Sequence, residues 1–138
     1  MKTLLLILST ALSSCSYNYR HAIAPAALSA VSGACYGVHE TVVHHPDRIP
    51  DTWSRQWWDS RVSWTNKGTT TWGKTFGSTG SDAKHTFGPL HRWTLFGAGI
   101  TVGIGKRRPW WHYGIDAAVS FAAFSIGFHS TYTIAFRQ

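Results

Sequence analysis

The chain has 138 residues, with 13 Lys and Arg against 6 Asp and Glu, a formal net charge of +7, 43% hydrophobic residues and only 14% charged ones. So low a charged fraction, together with eight Trp and 13 Gly, excludes a disordered tail, a coiled coil and a heavily solvated nucleic-acid arm. The length allows one domain, with room for three or four helices around one seam and none for a two-lobed enzyme.

The first residues carry the features of an export signal. Lys2 supplies a positive start, Leu4 to Leu8 an apolar run, and Leu12-Ser13-Ser14-Cys15 a small-residue cleavage site. Leu-Ser-Ser-Cys resembles the bacterial lipobox, which implies that residues 1–14 are removed and that Cys15 begins the mature chain and carries lipid such as palmitate. The apolar run is too short to span a bilayer comfortably. With Cys15 acylated, Cys35 is left as the only thiol, so no internal disulfide is expected. Resemblance to lipoprotein sorting signals, in which Asp after the Cys retains the protein at the inner membrane, favours the outer membrane here because Ser16 follows.

Residues 22–45 are rich in Ala, Ser, Gly and Val, and Pro25 falls where a first helical turn tolerates it, which predicts a helix. Ala26, Ala30, Gly33, Gly37, Glu40 and His44 recur at helical spacing and form one stripe, so a second backbone can approach closely. Pro46 ends the helix by disfavouring the α region for the residue before it.

Residues 46–84 read as an irregular Trp- and Gly-rich loop with short elements. Its five Trp, including Trp57, Trp58 and Trp64, suit a membrane-interface belt, a packed module over the helices, or a glycan-stacking surface.

Two apolar stretches follow, 85–105 and 110–136, joined by Lys106-Arg107-Arg108-Pro109 and then Trp110-Trp111. They predict a helical hairpin with a basic turn whose cations and Trp sit at a membrane interface. Each limb is near the length needed to cross the hydrocarbon core. Asp116, Ser120, Ala123 and Gly127 give the last helix a small and polar stripe like that of the first, so these two helices are expected to pack tightly. Asp116 on an apolar helix must find a partner or neutralise. The expected fold is mainly α: a small helical bundle or membrane-associated hairpin plus an N-terminal helix, all of 15–138 forming one domain.

A catalytic or metal centre is the competing expectation. Glu40 with His44 is an i, i+4 pair and Asp82 with His85 an i, i+3 pair, so each can share a metal or a proton. With Asp116 they form the candidate catalytic set, and Glu40, His44, Asp82, His85 and His129 the candidate ligands of a divalent ion such as Zn. His39 and His44 are five residues apart and diverge by about 140° on a helix, unlike the pair in the zincin motif. No nucleophile elbow and no phosphate loop is present. The cations are dispersed apart from Lys106 to Arg108, which makes anionic lipid headgroups better partners than nucleic acid.

Gly37-Val38-His39-Glu40, His44-His45-Pro46, Gln56-Trp57-Trp58, Ser63-Trp64-Thr65-Asn66-Lys67, Asp82-Ala83-Lys84-His85 and Gly127-Phe128-His129-Ser130-Thr131-Tyr132 resemble segments of small bacterial envelope proteins that have no assigned activity. The resemblance implies a shared helical fold with an Asp-x-x-His helix start, and singles out Glu40, His44, Asp82, His85 and His129 without implying a reaction. Taken together, a lipid-anchored envelope protein with a structural or interaction role is expected. It would sit at the outer membrane or on the periplasmic face of the inner one, bound to membrane lipids or to an envelope protein. The alternative is a metal-dependent hydrolase acting on a lipid or envelope substrate.

Overall fold

The structure, a computed structural model, describes residues 17–63, 80–105 and 107–136. It is mainly helical, and no strand occurs among the described residues. Helix α1 spans Arg20–His44 and is followed by a 3-10 turn, Pro46–Arg48, and two single-turn helices, α2 (Arg55–Trp58) and α3 (Ser60–Ser63). Helix α4 covers Ala83–Gly103 and α5 covers Trp110–His129, continued by a π-helical turn, Ser130–Ala135.

α1 begins two residues earlier than the sequence predicts, so Pro25 lies in its second turn and not its first. The helix therefore loses one internal hydrogen bond there, and Pro25 is buried against its neighbours. α4 starts at Asp82, whose Oδ1 accepts from the His85 backbone N–H at 2.8 Å, an N-cap that satisfies one of the orphan donors of the first turn. This is the Asp-x-x-His helix start expected from the sequence.

The two C-terminal helices do not pack on each other as a hairpin. α1 is the central element and runs along both α4 and α5, which touch one another only slightly. The physical reason lies in the glycines. A Cβ on Gly33 would run into the Phe124 carbonyl group and approach the Phe128 nitrogen at 2.9 Å; one on Gly127 would run into the Ala30 carbonyl and approach the Ala34 nitrogen at 3.0 Å. Each helix thus sinks a backbone into the other's notch, and Thr131 Oγ1 crosses the seam to donate to the Ala34 carbonyl at 3.0 Å. The small stripes of α1 and α5 are the two halves of this joint.

The apolar core is small and sits at one end of the bundle, where Val38, Val42, Ile49, Ala83 and Phe136 meet. Trp57, Trp58 and Phe87 close over it. Trp58 lies 4.5 Å from Trp53 and 4.7 Å from Trp57, ring centre to ring centre, so three Trp of the loop form one packed aromatic cluster. Trp64 lies outside the described residues.

Candidate functional site

The candidate catalytic and metal-binding residues are not brought to one point. Glu40 has His39 Nδ1 at 3.7 Å and His44 Nε2 at 3.6 Å. Asp82, almost fully buried, holds His85 Nδ1 at 2.9 Å and is occupied with capping α4. Asp116 belongs to a separate cluster near the turn between α4 and α5, and His129 Nδ1 lies on an exposed turn 3.2 Å from Thr133 Oγ1. Among the described residues no three His, Cys, Asp or Glu side chains are grouped to hold a metal ion. Each pair has a local helical partner, and that is why i, i+3 and i, i+4 spacing by itself does not bring the pairs together.

Asp116 is the most informative of these residues. It is fully buried, and it is held by one near and one distant partner: Arg108 Nη1 donates to its Oδ2 at 2.7 Å, and the Tyr17 hydroxyl donates to its Oδ1. Arg108 also donates from Nη2 to the Val102 carbonyl at 2.9 Å and stacks over the Tyr113 ring at 4.7 Å. The Tyr17 hydroxyl is pushed up to about 12 by burial, by its hydrogen bond to Asp116 and by that carboxylate's charge, with Arg108 opposing. This clasp ties the segment before α1, the α4–α5 turn and α5 together. Arg108, expected from sequence to face a membrane, is turned inward by the need of a buried carboxylate for a counter-charge. A cation eight residues before an Asp on an apolar helix was the available signal; nothing local pointed to Tyr17.

A second polar seam runs between α1 and α4. Ser32 is fully buried and donates to the His91 carbonyl at 2.9 Å, with His91 Nδ1 at 3.0 Å, while Tyr36 stacks on the His91 ring at 4.7 Å. His39 follows one turn on and packs against Gly88. Burial lowers the pKa of both His39 and His91. Burial also raises that of the Cys35 thiol, the free cysteine of the described residues. Ser32, Tyr36 and His91 were not singled out from the sequence, because their partnership joins residues 59 apart.

Many large apolar side chains face outward from the bundle. Trp93 and Ile126 are each 71% exposed, Phe121 73% and Trp110 84%, with Phe96, Ile100, Ile104 and Ile134 also exposed. Of the expected interface residues, Trp110 and Arg107 do face outward, and Trp111 is half-buried against His112. Trp57 and Trp58 are half-buried on the core, because a small bundle needs them there as cover. Lys106 lies outside the described residues. Among the described residues no helix is long and apolar enough to cross a membrane, which corrects the expectation that each C-terminal limb approaches a spanning length. Polar and small positions such as His91, Arg92, Thr94, Gly97 and Gly99 interrupt α4 too often.

No protein-family profile, curated protein or solved structure matches this chain.

Proposed function

We propose that this chain is a lipid-anchored, membrane-associated protein of the bacterial cell envelope, with a structural or interaction role. In this reading Cys15 carries the lipid, and the protein sits at the outer membrane or on the periplasmic face of the inner one.

The observation that supports the reading is the number of large apolar side chains left exposed while polar ones are buried in the helix seams. Ser29, Ser32, Thr41 and Asp116 are buried, whereas Trp93, Phe96, Phe121 and Ile126 face out. In water the outward side chains would forgo about 1.5–3 kcal/mol each that burial offers. In contact with hydrocarbon they lose nothing, and the forces that remain are the ones this bundle uses: close backbone approach at glycine and hydrogen bonds from Ser and Thr across the helix seams. No described helix is both long and apolar enough to cross a bilayer, and in this reading the helices lie in the interface with apolar side chains dipping among the acyl chains. The charged residues Asp47, Asp51, Arg55, Asp59 and Arg61 gather in the segment after α1, where an aqueous face belongs.

Growth of cells expressing the full chain with an alkyne analogue of palmitate, followed by fractionation, tests the anchor. The label is expected in the envelope fraction and is expected to disappear in Cys15→Ala. An unlabelled protein recovered in the soluble fraction would overturn the proposal.

A further inference from the structure

Because α4 and α5 both pack on α1 and barely on each other, they leave an open groove between them. Its volume is about 620 Å³, its floor is Ser29 of α1, and its walls are chiefly Leu95, Ala98 and Val102 from α4 and Ala117 and Phe121 from α5. From Leu95 to Val102 the α4 wall is about 10 Å long, at 1.5 Å per residue. The lining is almost wholly hydrocarbon: Ser29 and Ser120 supply its only hydroxyls, and Ser120 Oγ is buried without a hydrogen-bond partner.

A basic turn follows one end of this groove. Arg108 donates to the carbonyl of Val102, a wall residue, so the 107–109 turn is tethered beside that end. Arg108 is committed to Asp116, but its neighbour Arg107 is exposed, and the outward Trp110 follows. A slot for a hydrocarbon chain, with an exposed cation and an outward Trp in the turn beyond its Val102 end, matches a single amphiphile. We propose that the groove holds an acyl chain of an anionic bilayer phospholipid, with the phosphate at Arg107 and the chain running from Val102 toward Leu95. The lipid then completes the wall that α4 and α5 leave open. This rests on the membrane-associated reading above.

Gly99 lines the groove, and a Cβ there meets nothing within 4 Å, so Gly99→Phe fills the slot without a backbone clash. The full chain is floated with phosphatidylcholine vesicles doped with phosphatidylglycerol carrying a diazirine in its acyl chain, irradiated, and the adducts mapped by mass spectrometry. Adducts are expected to concentrate on Leu95, Val102 and Phe121. Gly99→Phe is expected to lower them about tenfold, the factor that corresponds to withdrawing two methylenes from the groove. Labelling from diazirine phosphatidylcholine is expected to be weaker, and Arg107→Gln to reduce the preference for phosphatidylglycerol about fivefold, from roughly 1 kcal/mol per cation at an anionic surface.

Adducts spread evenly over Trp93, Ile126 and the groove, unchanged in Gly99→Phe, would overturn the groove proposal while flotation still upholds membrane association. Equal labelling from both lipids in the wild type would overturn the assignment of the headgroup. A chain that does not float would overturn both this proposal and the reading beneath it.

Discussion

Arg108 and Asp116 meet at 2.7 Å across the turn that joins α4 to α5, and both side chains are withdrawn from solvent. The pair answers the main energetic problem posed by the sequence, a carboxylate on an apolar helix. It also explains why the basic turn folds back on the bundle. Asp116→Ala would leave the Arg108 guanidinium beside the Val102 carbonyl without its counter-charge, whereas replacing both residues by Met and Leu removes the two charges together. Asp116→Ala is expected to lower the thermal midpoint more than the double substitution does, measured by circular dichroism on the full chain in detergent.

Tyr17 gives the same clasp a signature at alkaline pH. Its hydroxyl is pushed up to about 12 in the folded protein, above the ordinary value of 10.0. The unfolded chain therefore gives up this proton first. The stabilisation from Tyr17 is complete below pH 10 and is lost as pH rises through about 12. A spectrophotometric tyrosinate titration, wild type minus Tyr17→Phe, is expected to show one phenol ionising near 12; a difference curve centred at 10 would remove Tyr17 from the clasp.

The seam between α1 and α4 responds at the opposite end of the pH scale. Burial lowers the pKa of His39 and His91 from 6.5. Their neutral forms are thus favoured by folding, and stability present above pH 6.5 is expected to fall as pH drops through their folded values. Denaturant midpoints at a series of pH values should decline below 6.5 in the wild type and decline less in His91→Gln.

Gly127 and Gly114 share α5 but differ in surroundings. A Cβ at Gly127 collides with α1 backbone, while at Gly114 nothing lies within 4 Å. Gly127→Ala is expected to cost about 1–3 kcal/mol as the helices are pushed apart. Gly114→Ala is expected to stabilise by about 0.5–1 kcal/mol through helix propensity. Chemical denaturation of the two variants checks both signs.

Much of this arrangement was legible in the sequence, for reasons tied to particular residues. The three long helices follow from apolar runs bounded by Pro46, Asp82 and Pro109, and the α1–α5 joint follows from glycines at helical spacing. What could not be read was which helix lies in the middle. Two runs separated by a short basic turn look like a self-packed hairpin, yet the deepest notches belong to α1 and α5, and tertiary fit decided the order. The candidate site failed for a related reason. Glu40 with His44 and Asp82 with His85 are neighbours on single helices, so their spacing carries no information about distance between helices. Contacts that join distant segments, such as Tyr17 to Asp116 and Ser32 to His91, link residues 99 and 59 apart.

The central claim is that the apolar outer face of the bundle touches lipid, and Trp fluorescence in vesicles of brominated phosphatidylcholine tests it most directly. Trp93 and Trp110 are both exposed, while Trp57 and Trp58 pack on the core and Trp53 lies against Trp58. The full chain is expected to be quenched by brominated relative to ordinary vesicles, with most of that quenching lost in Trp93→Phe/Trp110→Phe. Equal emission in both kinds of vesicle, or quenching that the double substitution leaves unchanged, would contradict the account.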